Sequence, residues 1–154
     1  MKDTSDPEVI AKKANLILNK LSLDKFEKLS KEFMEVGIED ENVMDRGVDL
    51  IVSKAQMEVN FSSMYADLCS KIYDEWSAKS EGKEVNTGAL FREKLLSRCE
   101  EEFHTNWLAK LEAIRNNPDL SEDDKTEKEI ILKKKYTGHM IFIGQYQKVF
   151  FTNN

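Results

Sequence analysis

Residues 62–76, SSMYADLCSKIYDEW, decide the fold class. Apolar side chains recur in pairs every four residues, at Met64 and Tyr65, then Leu68 and Cys69, then Ile72 and Tyr73. In an α-helix that spacing places all of them on one face. The stretch therefore predicts an amphipathic helix whose apolar stripe packs into a core.

The same periodicity continues in both directions and predicts six helices and no strand. The first begins at Asp6 and Pro7, and a second is predicted to be capped by Ser22 and to end at Gly37 in a left-handed conformation. The helix from about Val43 to Ala55 is apolar around much of its circumference and is expected between two neighbours.

Three further expectations concern the second half of the chain. Thr87 is predicted to cap a long fifth helix that bends near residues 105–106. The sixth helix is predicted from about Lys125, with Ser121 and Asp124 spaced as a capping box. Gly138 and Gly144 lie inside it and suggest close approach of another helix.

Length, composition and charge indicate a single folded domain and exclude disordered and membrane-spanning chains. The 154 residues suit one domain, with residues 1–8 as a tail and 9–154 as the domain. The charge is 23 minus 29, or −6, and 40% of residues are hydrophobic, which excludes a disordered chain. No apolar run is long enough to span a membrane. Cys69 and Cys99 are interpreted as reduced core thiols of an intracellular protein.

No enzymatic motif is present. The two histidines, His104 and His139, are 35 residues apart, and there is no Cys-x-x-Cys pair of the kind that binds zinc. Phosphate-binding loops and nucleophile elbows are also missing. The chain is therefore interpreted as non-enzymatic, with no cofactor and no metal.

Periodicity leaves two architectures open, a closed helical bundle and an open stack of helix pairs. Four phrases favour the stack, because in this order they resemble the middle domain of eukaryotic translation initiation factor 4-gamma, a solenoid of HEAT repeats. They are residues 18–22 (LNKLS) with Phe26, 62–69 (SSMYADLC), 91–103 (FREKLLSRCEEEF) and 135–145 (KYTGHMIFIGQ).

The resemblance covers the N-terminal part of that domain and implies an all-α, HEAT-repeat α-solenoid of antiparallel helix pairs, about two and a half repeats long. It also implies a cytoplasmic scaffold that binds the DEAD-box RNA helicase initiation factor 4A and contacts messenger RNA through basic surface. An exposed apolar face is expected near Val149, Phe150 and Phe151, since a stacked repeat buries its face against the next one.

Two candidate surfaces follow. The turn between the second and third helices offers a charged rim around an exposed isoleucine, which suits a helicase lobe; its candidate residues are Ile38, Glu39, Asp40, Asn42, Asp45 and Arg46. A basic segment near the C-terminus suits weak, sequence-tolerant RNA contact, although a solvated face is an equal alternative; its candidate residues are Lys133, Lys134, Lys135, His139 and Lys148.

Two other functions stay open. A related middle domain could serve as an adaptor in mRNA decay, splicing or nuclear cap binding. The chain could instead self-associate through its apolar C-terminal helix.

Overall fold

The fold is that of a computed structural model, which describes residues 6–151 of the chain and their side chains as far as residue 148. Within those residues the chain forms seven α-helices and one short 3-10 turn at Val59–Phe61, and no strand. This confirms the all-α prediction. The helices are α1 (Pro7–Lys20), α2 (Phe26–Glu35), α3 (Glu41–Met57), α4 (Ser62–Lys79), α5 (Thr87–Phe103), α6 (Trp107–Arg115) and α7 (Glu122–Phe151).

The ends of α1 and α2 follow the predicted local chemistry. The Asp6 carboxylate accepts a hydrogen bond of 2.9 Å from the Glu8 amide, and Pro7 occupies the first helical position, where its missing N–H is not needed. Gly37 follows α2 with φ of +118°, a conformation that favours glycine. Both predicted helix boundaries are confirmed.

Two predicted caps are wrong. The Ser22 hydroxyl accepts a bond of 3.3 Å from the Lys25 amide, but this closes a turn ahead of α2 rather than capping the helix. At α5 the capping residue is Asn86, whose side-chain oxygen accepts a bond of 2.9 Å from the Ala89 amide. Thr87 is the first residue inside that helix. Several neighbouring residues can each cap a helix, so small tertiary preferences choose among them.

The long fifth helix is two helices. It breaks at the residues where a bend was predicted, because the Asn106 side chain caps α6 by accepting a bond of 2.9 Å from the Ala109 amide. The last helix starts at Glu122 rather than at about Lys125. Its predicted cap is observed, since the Ser121 hydroxyl accepts a bond of 3.1 Å from the Asp124 amide.

The helices form an open stack rather than a sealed bundle. Ion pairs join Asp45 to Lys94 and Asp49 to Arg98, so α3 and α5 run parallel to each other. Chain neighbours α4 and α5 run antiparallel, with the Trp76 ring edge-on to the Phe91 ring at 5.6 Å. Contacts run from α1 to α3 and from α3 to α5, while α7 packs across α3 and α4. This arrangement of helix pairs confirms the predicted α-solenoid.

The core is centred on α3 and α4. As predicted, α3 lies between neighbours, since it contacts α1 on one side and α5 and α7 on others. The aromatic and aliphatic stripe of residues 62–76 is buried as well. The hydrophobic residues of α3 and α4 that are at most 2% exposed are Val43, Met44, Val48, Ile51, Val52, Ala55, Met64, Tyr65, Ala66, Leu68, Cys69 and Ile72.

Close helix approach is confirmed at one of the two predicted glycines. A Cβ at Gly138 would overlap the carbonyl oxygen of Gln56 and lie 2.7 Å from its carbonyl carbon, so α7 touches the backbone of α3. At Gly144 a Cβ would meet no atom within 4 Å, and the prediction there is wrong.

Both cysteines are free and buried, as predicted. Burial raises the pKa of Cys99 to about 12 and holds the pKa of Cys69 well above its usual value. Neither thiol ionises near neutral pH, so both act as small apolar side chains.

Two expectations concern long apolar segments, namely a membrane span and an exposed apolar face near the C-terminus. Among the described residues no helix is long and apolar enough to cross a bilayer. The expected apolar face at Val149, Phe150 and Phe151 concerns side chains that lie outside the described ones.

Candidate partner-binding surfaces

The turn between α2 and α3 does not expose its isoleucine. Ile38 is 1% exposed, and a Cβ at Gly47 would lie 3.3 Å from the Ile38 Cβ. The left-handed bend at Gly37 turns the next side chain inward, where burial of an isoleucine is worth roughly 1.5–3 kcal/mol. The prediction that Ile38 contacts a partner is therefore wrong.

The polar residues of the same turn are exposed. Glu39, Asp40 and Asn42 all face solvent. Asp40 also caps α3, because its carboxylate accepts a bond of 2.9 Å from the Asn42 amide. The turn is thus a capped, negatively charged edge.

Two further predicted residues are exposed but already paired. The Arg46 guanidinium donates to the Glu8 carboxylate of α1 at 2.6 Å. The Asp45 carboxylate lies 3.0 Å from the Lys94 ammonium of α5. Exposed pairs of this kind contribute little to stability, about 0–1 kcal/mol. They join three helices of the stack into one charged surface.

The loop between α4 and α5 lies beside this turn, which sequence reasoning missed. A surface depression of about 350 Å³ separates the two, with Glu39 on one side and Lys79 and Lys83 on the other. Val85 is 60% exposed at its margin. The two turns are about 40 residues apart in the chain, so no local sequence signal joins them. They meet only in the folded chain, where Lys71 of α4 also pairs with Glu27 of α2 at 2.6 Å.

A network of charges continues along α3 and α5. Arg98 donates to Asp49 at 2.8 Å and to Glu102 at 2.6 Å. Burial would raise the pKa of Glu102, but the hydrogen bond and charge of Arg98 outweigh it and hold that pKa below its usual value. The matched spacing of Asp45 and Asp49 with Lys94 and Arg98, four residues in each helix, is the sequence signal for this network.

The predicted basic segment remains largely on the surface. Lys133, Lys134 and Lys148 are exposed. Lys135 is half-buried, and its charge helps to lower the pKa of Glu102. Four of the five predicted RNA-binding residues are therefore accessible in whole or in part.

His139 is the exception. It is 0% exposed and joins α7 to two other helices. Its Nε2–H donates to the Cys99 carbonyl oxygen at 3.1 Å, which makes Nδ1 the acceptor for the Gln56 amide, also at 3.1 Å. Burial lowers the pKa of this imidazole, so it is neutral at pH 7. The prediction that His139 contacts RNA is wrong.

No cluster on the described residues suggests metal chemistry. Across them no group of three or more histidine, cysteine, aspartate or glutamate side chains could hold a metal ion. Several of the charged side chains described above, among them Asp40, Asp45 and Arg98, are engaged in helix caps and ion pairs.

Comparison with known proteins identifies the family of this chain. The model of the MIF4G domain matches residues 11–150. Over 92–93% of the chain, the sequence is 33% identical to eukaryotic translation initiation factor 4 gamma of Schizosaccharomyces pombe and 34% identical to eukaryotic translation initiation factor 4 gamma 2 of Homo sapiens. It is 31% identical to eukaryotic translation initiation factor 4 gamma of Dictyostelium discoideum over 93% of the chain. The chain spans 11–16% of the length of these relatives. The match to the family model over nearly the whole chain shows that this protein belongs to the MIF4G domain family.

Proposed function

We propose that the chain is a scaffold module of translation initiation that binds the DEAD-box RNA helicase initiation factor 4A. The observation that carries the proposal is the exposed charged edge on a stack whose relatives are named translation initiation factors. Binding, and not catalysis, is the role of the module.

The helicase contact is assigned to the α2–α3 edge. Its acidic residues Glu39 and Asp40 attract a basic surface and speed encounter with it. Asn42, Asp45 and Arg46 extend the edge toward α1 and α5. With Ile38 buried, the contact depends on charge and hydrogen bonds, and its strength falls with added salt.

A binding titration against each separate lobe of the helicase tests the proposal. The double substitution Glu39→Lys and Asn42→Arg is expected to weaken binding to one lobe by about tenfold, since a charge at the rim of an interface contributes of order 1 kcal/mol to the binding free energy. Glu127→Lys, an exposed reversal on α7, is the matched control and should leave affinity unchanged. If the unaltered chain binds neither lobe, the proposed helicase-binding function is wrong.

A second, weaker activity is proposed at the basic segment. Lys133, Lys134, Lys135 and Lys148 suit contact with RNA phosphates, which requires only clustered positive charge. Titration with single-stranded RNA at several salt concentrations should give an affinity that decreases as salt is added. The slope of this salt dependence should fall when Lys133 and Lys134 are replaced by glutamine. A slope unaffected by that change would exclude these lysines.

A further inference from the structure

An apolar groove of about 450 Å³ lies between α6 and the middle of α7, at the point where α5 ends. It is separate from the α2–α3 edge and takes no part in the proposed helicase contact. Its main lining residues are Phe103, Trp107, Leu108, Leu111, Tyr136 and Met140.

The groove exposes large apolar side chains together. Leu108 is 63% exposed, Phe103 57% and Tyr136 44%. Single exposed apolar residues are ordinary on protein surfaces, whereas a contiguous set in one concave site marks an interaction surface. A neighbouring depression that includes Leu96 and Ile143 shares Phe103, so the apolar surface continues beyond the groove.

The floor of the groove is held in place before any partner arrives. The Trp107 indole N–H donates to the Glu102 carbonyl oxygen at 3.1 Å. The Trp107 ring packs edge-on against Tyr136 at 5.5 Å. A fixed pair of aromatic rings lowers the entropy lost on binding.

Charge at the groove is positive. Lys133 lines the groove and no acidic residue does; the Lys133 ammonium lies 3.9 Å from the Glu129 carboxylate, which is already paired with Arg115 at 2.8 Å. The Lys110 ammonium lies 5.4 Å from the centre of the Trp107 ring. The chain as a whole carries −6, so this surface stands out against an acidic protein. An acidic partner is the complementary one.

We propose that this groove binds an acidic amphipathic helix of a partner protein. The apolar face of that helix would pack on Trp107, Leu108 and Tyr136, with its carboxylates near Lys133 and Lys110. RNA fits less well, because the lining includes the aliphatic Leu111 and Met140 and because Lys110 already lies over one face of the Trp107 ring.

A labelled model peptide tests the proposal on the whole chain. The peptide is a helix of about 16 residues with leucine or phenylalanine at positions i, i+3, i+4 and i+7 and glutamate on its other face. Fluorescence anisotropy measures its binding. Trp107 is a second reporter, since its emission should shift to shorter wavelength when the groove is covered, while Trp76 is buried in the core and stays constant.

Matched variants locate the site. Leu108→Asp and Lys133→Glu should each weaken peptide binding by about tenfold or more. Leu16→Asp, at a residue 58% exposed on α1, and Lys13→Glu, at another exposed lysine of α1, should leave it unchanged. All four sites are on the surface, so the variants are expected to fold, and circular dichroism at 222 nm checks this.

Any of five outcomes would overturn the proposal. The acidic peptide does not bind, or a scrambled peptide of the same composition binds equally well. A peptide with lysine in place of glutamate binds as tightly. An oligouridine, rather than the peptide, binds in a manner that Leu108→Asp abolishes. Sedimentation shows a dimer of the chain that Leu108→Asp dissociates, which would make a second copy the occupant.

Discussion

Helices α3 and α6 are both partly apolar but are buried to very different extents. Eight of the 17 residues of α3 are buried, whereas none of the nine residues of α6 is. Yet α6 is the more apolar, since six of its residues are tryptophan, leucine, isoleucine or alanine. The number of neighbours explains the difference, because α3 contacts α1, α4, α5 and α7, whereas α6 packs against α7. Apolar content allows burial, and the position in the stack determines it.

The same contrast occurs within α7. No residue from 122 to 137 is buried, while Gly138, His139, Phe142 and Tyr146 are. The first half of the helix packs against α6, and the second half packs across α3 and α4. The change occurs at Gly138, where the two backbones meet.

The largest loss of stability is expected from a substitution at Gly138, where the backbones of α7 and α3 meet. Gly138→Ala should destabilise the fold by about 3 kcal/mol or more, because the new Cβ overlaps the backbone of Gln56, which cannot rotate away. Gly144→Ala in the same helix is the matched control and should stabilise by up to about 1 kcal/mol, since the site is open and alanine favours helix. Urea unfolding followed by circular dichroism measures both. Equal effects would show that α7 does not approach α3 as closely as described.

A pair of identical truncations sharpens the comparison of α3 with α6. Ile51→Ala, at a side chain that is 0% exposed, should cost about 2–5 kcal/mol. Ile114→Ala in α6, at a half-buried side chain, should cost about 1 kcal/mol or less, because part of the isoleucine is already in water. The free energy of unfolding from urea titrations measures both. A larger cost at Ile114 would mean that α6 belongs to the core.

The smallest expected effect is a pH dependence from His139. Its pKa in the folded protein lies below the usual value of about 6.5, so the unfolded chain takes up the proton first as the pH falls. The free energy of unfolding should therefore decrease as the pH drops below about 6.5, and this contribution stops once the folded imidazole is protonated too. Glu102, whose pKa is lowered, contributes separately below about pH 4.5.

Urea midpoints measured between about pH 7.5 and 5.5 check this prediction. His139→Gln removes the titrating group and keeps a side chain able to form hydrogen bonds, so it should flatten the dependence in that range. An unchanged dependence in the variant would assign the effect to other groups. The hydrogen bonds to Cys99 and Gln56 would then have no part in it.

Much of the local structure could be predicted from residue pattern. The apolar stripe at Met64, Leu68 and Ile72, the cap at Asp6 and the left-handed glycine at Gly37 all follow from spacing and backbone chemistry. The helix break near Asn106 was also foreseen as a bend. These features depend on residues a few positions apart, which is the range over which a sequence pattern can be interpreted.

The candidate surfaces needed the tertiary structure. Ile38 stands before two acidic residues and His139 shares a segment with three lysines, so both resemble surface residues, but packing against Gly47 and against Gln56 buries them. The groove beside Trp107 is formed by two helices and the end of a third, and no single segment predicts it.

The amino-acid sequence by itself determined the helices, because helix periodicity and capping are local properties, and its resemblance to a known family favoured the open stack. The tertiary structure decided which apolar faces are covered and which remain open. Burial depends on how many neighbours a helix acquires, and those neighbours come from distant parts of the chain.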